Sequence, residues 1–230
     1  MSKFRPFRAI RPLSINAKQV ASRPYDVLDS KEAREEAAGN PISFLRVIKP
    51  EIDLPPITDP YCDDVYRQGL AKLSELKEQG ILVQDKDAHF YVYRLTMDGR
   101  TQTGIVGCCD FQEYYDGSIK KHELTRTAKE NDRVRHVEIQ NANAEPVFFS
   151  YRSDVRIDEL VGQVIDTALE YDFIADDKIR HELWVVRDPV LIQGIEKNFS
   201  AIPALYVADG HHRTAAAARV GQMRKENNPE

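Results

Sequence analysis

The sequence holds only three cysteines, Cys62, Cys108 and Cys109, and that scarcity excludes a fold stapled by disulfides. Two of them are adjacent and none has the C-x-x-C spacing of zinc and redox sites, so reduced, mostly buried thiols are expected. No stretch approaches the roughly 20 apolar residues of a membrane span, and the opening Met1-Ser2-Lys3-Phe4-Arg5 leads into no apolar signal core. A soluble, cytoplasmic protein with no membrane partner is expected. Excess positive charge is missing as well: the formal net charge is -5, which argues against a general affinity for nucleic acid or anionic lipid. There is no internal repeat and no low-complexity tract.

What is present is ordinary globular material. With 230 residues, 42% hydrophobic and 30% charged, the chain can form one sizeable domain or two small ones without a structural metal. Ser22 to Val27 is a proline-pinned, extended segment that fixes Asp26. Ser30 is suited to cap a short helix running through Ala38, with Gly39 as its stop, and Pro41 then starts a strand-like run from Ser43 to Ile48. Asp59-Pro60 opens a helix whose apolar spacing ends near Gln79. Phe90 to Met97, the turn signal Asp98-Gly99 and Thr101 to Phe111 spell a β-hairpin. Lys120 to Asn143 is polar, with helical tendency from about Thr127.

From residue 146 onward the pattern is β-α-β-α-β-α. Val147 to Tyr151 reads as a strand. Ile157, Leu160, Val161, Val164, Ile165, Ala168 and Leu169 carry the spacing of an amphipathic helix and are read as core. Ile179 to Val186 is predicted as strand, Pro189 to Phe199 as helix and Ala204 to Ala208 as a short buried strand. The fold class is therefore α/β, a mixed sheet with flanking helices. Residues 1–145 and 146–230 form an N-terminal and a C-terminal region of one compact unit.

Chemistry concentrates where that last strand ends, at Asp209-Gly210-His211-His212-Arg213-Thr214. A strand, a tight glycine turn and a helix start leave unpaired amides facing outward, and the helix dipole adds its positive end. Gly210 lets a phosphate approach the backbone, and Arg213 adds a bidentate grip. Magnitudes constrain Asp209: a carboxylate about 4 Å from a phosphate charge costs about 4 kcal/mol at an effective dielectric of about 20. The helix terminus returns only about 0.3 to 2 kcal/mol. Asp209 must therefore turn away as a cap, pair with Arg213 or a protonated histidine, or hold a divalent cation, and the cation is the favoured reading. Neighbouring helical positions point about 100° apart, so His211 and His212 do not share one zinc in the manner of i, i+4 histidines.

A second constellation is Lys120-Lys121-His122-Glu123-Leu124-Thr125-Arg126 with Asp132-Arg133. It reads either as a solvated charged face or as a binding loop in which Arg126 or Arg133 neutralises a phosphate or a substrate carboxylate. Asp26 is either a turn-forming aspartate or a general base for an attacking hydroxyl. His181-Glu182 lies in a predicted strand with its two side chains on opposite faces, and no role is assigned to it.

Taken together, Arg23-Pro24-Tyr25-Asp26-Val27, Gly39-Asn40-Pro41-Ile42-Ser43-Phe44-Leu45, Lys121 to Arg126, Asp132-Arg133 and Ala208 to Ala215 resemble the uncharacterised family DUF1015 over nearly the whole chain. Relatives often carry a proline at position 23, a histidine at 124 and a proline at 127, where Arg23, Leu124 and Thr127 stand here. That family usually continues well past the histidine motif, which implies that this chain is an N-terminal portion of a longer protein.

More distantly, Gly210-His211-His212-Arg213 with Ala215-Ala216 looks like the phosphate-binding turn of the ParB and sulfiredoxin superfamily, which implies a ParB/sulfiredoxin-like C-terminal part. Kinases of free serine in that superfamily are similar in their aspartate-glycine-histidine-histidine-arginine motif and acidic base. The resemblance implies a phosphotransferase working between a nucleotide (ATP or ADP) or pyrophosphate donor and serine, or in reverse on phosphoserine. Asp26, His211 and His212 would be catalytic and Asp209 would help hold Mg²⁺. Gly210, Arg213 and Thr214 would bind phosphate, and His122, Glu123, Arg126 and Arg133 would bind the substrate. The rival expectation is a non-enzymatic nucleotide-binding switch of ParB type. No nucleic-acid partner is expected, and a homo-oligomer is compatible with the sequence.

Overall fold

The structure, a computed structural model, describes residues 2–228. Its principal elements in chain order are helices α1 (Ser30–Glu36) and α2 (Asp63–Glu78), strands β1 (Phe90–Met97) and β2 (Arg100–Val106), and helices α3 (Thr127–Gln140) and α4 (Val155–Ile165). Strands β3 (Tyr171–Ile174) and β4 (Arg180–Val186), helix α5 (Pro189–Phe199), strand β5 (Leu205–Asp209) and helix α6 (His211–Asn227) follow. The chain is an α/β protein. It divides into two compact units, one of Met1–Lys18, Val83–Lys120 and Ser150–Tyr206, the other of Gln19–Leu82, Lys121–Phe149 and Val207–Glu230.

The first unit is built on a four-stranded sheet in the order β2-β1-β4-β3, antiparallel throughout. Its hairpin forms because Asp98 and Gly99 both take positive φ, 49° and 76°, the geometry a tight two-residue turn needs to match strand twist. Phe90, Val92, Trp184 and Val186 are buried in this sheet, and Ile157 and Val164 of α4 are buried with them. Phe4 stacks on Phe90 with ring centroids 5.0 Å apart. A Cβ at Gly107 would lie 2.6 Å from the Phe4 ring, so glycine is what permits this approach. A separate parallel pairing sets Leu205 and Tyr206 of β5 against Ile119 and Lys120.

The second unit is helical at its core. Val134 of α3 packs with Ala216 and Val220 of α6, which is why the alanine-rich start of α6 can lie close to its neighbour. Another cluster joins Val20, Val47, Leu73, Leu76 and Leu82.

Several expectations need correction. Ser43 to Ile48 is not a strand: Leu45–Ile48 is one helical turn, with Leu45, Val47 and Ile48 buried. A short apolar run buried on several sides carries no period that separates the two states. Tyr171–Ile174 is an additional strand, so the C-terminal order is β-α-β-β-α-β-α. The Asp26 segment is not extended throughout, because Tyr25–Val27 forms a 3-10 turn after Pro24. Asp29, not Ser30, caps α1, through a reciprocal capping box with Glu32. Helix α2 begins at Asp63, after turns that include Asp59-Pro60. The cysteines are free but not mostly buried: Cys108 is exposed, and Cys62 and Cys109 are half-buried. Among the described residues no helix is long and apolar enough to cross a membrane.

Candidate functional site

The turn after β5 has the form its sequence dictates. Gly210 sits at φ 85° as the N-terminal cap of the 17-residue helix α6, a left-handed conformation that residues with a Cβ adopt only at a cost. No side chain caps the helix. Thr214 donates both its amide, at 2.8 Å, and its hydroxyl, at 2.9 Å, to the Gly210 carbonyl. Those bonds lock the turn while the amides of His211, His212 and Arg213 remain without intrahelical acceptors, a position that favours an anion.

Arg213 folds back over this turn. Its Nη2 donates to Asp209 Oδ2 at 2.7 Å and its Nη1 to the Pro146 carbonyl at 2.7 Å. A Cβ at Gly210 would meet the guanidinium at 3.1 Å, so the two groups touch because residue 210 has no side chain. Of the arrangements open to Asp209 from sequence, pairing with Arg213 is the one present. The i, i+4 spacing brings the pair together, and it offsets much of the repulsion that an isolated carboxylate would exert on a phosphate.

His211 is 7% exposed, its ring edge-on to His122 with centroids 4.4 Å apart and its Nδ1 3.6 Å from Glu123 Oε2. Burial, and then the neighbouring His122, lower its pKa, with Glu123 and Asp209 acting in the opposite direction. His211 Nε2 and Arg213 Nε are buried without a hydrogen-bond partner in the protein. His212 accepts a hydrogen bond at Nε2 from the Arg126 amide, at 3.0 Å, and so ties the loop carrying His122 and Glu123 to the start of α6.

The turn bearing Asp26 reaches the same neighbourhood through Glu145. Glu145 Oε1 accepts from the Tyr25 amide at 3.0 Å and Oε2 lies 3.4 Å from Arg133 Nη1. Burial raises the Glu145 pKa; the Tyr25 amide, Arg133 and Arg213 act to lower it and Asp26 to raise it. One carboxylate therefore feels both Asp26 and Arg213. Tyr25 is pushed up to about 12 by burial, with Arg133 and Arg213 opposing and Asp26 assisting.

Arg133 stands behind this arrangement. Its guanidinium donates to Asp132 Oδ2 at 2.9 and 2.7 Å and lies 3.8 Å from the centre of the Tyr25 ring. Asp132 in turn accepts from the Tyr66 hydroxyl at 2.8 Å.

The second unit thus brings together His122, Glu123, Arg126, Asp209, Gly210, His211, His212, Arg213 and Thr214, and the turn that carries Asp26 is tied to them through Tyr25, Glu145 and the Pro146 carbonyl. Arg133 is committed to internal partners. Sequence reasoning missed Glu145, Tyr25 and Tyr66, whose partners are remote in the chain: 120 residues separate Tyr25 from Glu145. The one local signal is an acid immediately before Pro146.

The fold and this glycine turn define an α/β protein with an anion-suited helix N-terminus. The chain belongs to the family described as a protein of unknown function, DUF1015, whose family model matches residues 4–230. No curated protein and no solved structure matches the chain.

Proposed function

We propose that this chain carries the site of a phosphotransferase that moves phosphate between a nucleotide or pyrophosphate donor and the hydroxyl of a small amino acid, serine being the first candidate, in either direction. One observation carries the reading: an uncapped glycine turn opens a long helix, and Arg213 folds back over it with its buried Nε left without a partner. The likeness of Gly210 to Arg213 to the phosphate-binding turn of the ParB and sulfiredoxin superfamily, free-serine kinases included, supports it.

In this reading the amides of the α6 terminus, Gly210 and Arg213 hold the transferred phosphate, and Thr214 keeps the turn in shape. Asp26 takes the proton of the attacking hydroxyl, while His211 and His212 stabilise charge on the phosphoryl oxygens. His122, Glu123 and Arg126 orient the acceptor. Arg133 acts from behind, by holding Tyr25 and Glu145. Phosphoryl transfer asks mainly for positioning and charge neutralisation, which these groups are suited to supply.

Among the described residues no group of three or more His, Cys, Asp or Glu side chains is arranged to hold a metal. Asp209, paired with Arg213 but 65% exposed, would be the carboxylate to meet a Mg²⁺ that arrives on the donor phosphates, since that ion commonly takes one or two carboxylates and completes its shell with phosphate oxygens and water. When bound it would neutralise charge on the donor.

The test incubates the full chain with serine, Mg²⁺ and ATP, ADP or pyrophosphate, and looks for O-phosphoserine by mass spectrometry, with Asp26→Asn, Asp209→Ala and His211→Ala as controls. Product that disappears in all three variants is expected. Tight nucleotide binding with no product from any donor would replace the enzyme by a nucleotide-binding switch.

A further inference from the structure

Helix α2 carries a charge for which the proposed transfer has no use. Lys72 is only 9% exposed, and its ammonium donates at 2.9 Å to Glu75, an exposed carboxylate three residues further along the same helix. Lysine is almost never buried without full pairing, because desolvating an ammonium is offset only where its donors are matched. An ammonium has three donors, and Glu75 takes one.

Beside Lys72 lies a surface cleft of about 290 Å³, lined by Gly39, Asn40, Pro41, Arg46, Asp53 and Lys72. Arg46 brings a second cation, fixed by the Asn40 carbonyl at 3.0 Å, the Ala37 carbonyl at 2.9 Å and the Asp53 carboxylate. The lining therefore carries two cations, Arg46 and Lys72, against the one carboxylate of Asp53. Gly39, at φ 72°, faces open space where a side chain would stand. This wall is the Gly39 to Leu45 motif, which has no part in phosphoryl transfer as proposed above, and none of the lining residues belongs to the Gly210 site.

We propose that this cleft is a second ligand site, for a compact oxyanion bearing a phosphate or a small carboxylate, with Lys72 as its anchor and Arg46 as the second cation. A charge-assisted hydrogen bond from Lys72 makes the expected loss on its removal about ten- to a hundred-fold in affinity.

The experiment titrates inorganic phosphate, and separately malonate, into the full wild-type chain and into Lys72→Met and Arg213→Ala by calorimetry. Arg213→Ala weakens the anion grip of the Gly210 turn, so binding that it leaves unchanged and Lys72→Met weakens belongs to the cleft. Saturable binding that persists in Arg213→Ala and is weakened about ten- to a hundred-fold in Lys72→Met is expected. Phosphate binding more tightly than malonate assigns the natural ligand to the phosphate-bearing class, and the reverse to carboxylates. Should Lys72→Met fail to fold, acetylation of Lys72 in the wild-type chain, read by peptide mass spectrometry with and without the anion, replaces it, and protection is expected. No binding of either anion, binding unchanged by Lys72→Met, or Lys72 labelling unaffected by the anion overturns the proposal, whereas loss of all binding in Arg213→Ala leaves only the Gly210 site.

Discussion

His136 should make the second unit acid-sensitive in a way that one substitution can isolate. The imidazole is 7% exposed on α3, edge-on to the Tyr66 ring at 4.8 Å, with Gln140 Nε2 3.4 Å from its Nδ1. Burial first, then the guanidinium groups of Arg133 and Arg135, lower its pKa from 6.5 to about 2. Above pH 6.5 neither the folded nor the unfolded chain protonates this ring appreciably, and stability is indifferent to it. As pH falls below that value the unfolded chain takes up a proton that the folded chain refuses. Stability is then lost at about 1.4 kcal/mol per pH unit, down towards the folded pKa, and the loss reaches about 2 kcal/mol by about pH 5.

The assay is urea denaturation of wild type and His136→Gln between about pH 7.5 and about pH 5, followed by circular dichroism. The variant should be less stable near neutrality, because it loses the ring packing, and the gap should close by about 2 kcal/mol across that range. His181 and His211 also have lowered pKa values, chiefly through burial, but they titrate in both proteins and cancel in the difference. Parallel curves would refute the reasoning.

Three further outcomes follow from the same contacts. Gly210→Ala places a Cβ 3.1 Å from the Arg213 guanidinium at φ 85°, so a loss of about 1 to 2 kcal/mol is expected from the backbone, read as a lower melting temperature. Arg94→Ala strips Glu182, 2% exposed, of its bidentate partner and leaves it Arg180 at 3.4 Å. A loss of about 3 kcal/mol or more is expected in urea denaturation, and adding Glu182→Leu should restore most of it. Glu145→Ala leaves the Tyr25 amide without its acceptor, which should cost about 1 to 3 kcal/mol and abolish protection of that amide in hydrogen exchange.

Elements whose causes lie within a few residues could be read from sequence. The hairpin rests on Asp98-Gly99, and α5 on Asp188, which caps it through the Val190 amide, followed by Pro189. The strand, glycine turn and helix around residue 210 are likewise local, as is the i, i+4 pairing of Asp209 with Arg213. Leu45–Ile48 was misread because its apolar residues are buried on more than one side, which erases periodicity. Tyr171–Ile174 was missed because its residues only half bury and its pairing with β4 is what makes it a strand. The Glu145, Tyr25 and Asp132 contacts depend on residues brought from far along the chain, and no local pattern encodes them.

The division of the chain into alternating segments has a consequence for how the molecule is made. The Gly210 turn comes from the final segment, its Pro146 acceptor from residues 121–149 and Tyr25 from residues 19–82. During synthesis the first of these parts must wait, unclosed, until the last leaves the ribosome, so this portion should fold late and slowly for its size. A break after residue 82, 120 or 149 would leave two fragments, neither of which encodes a complete unit.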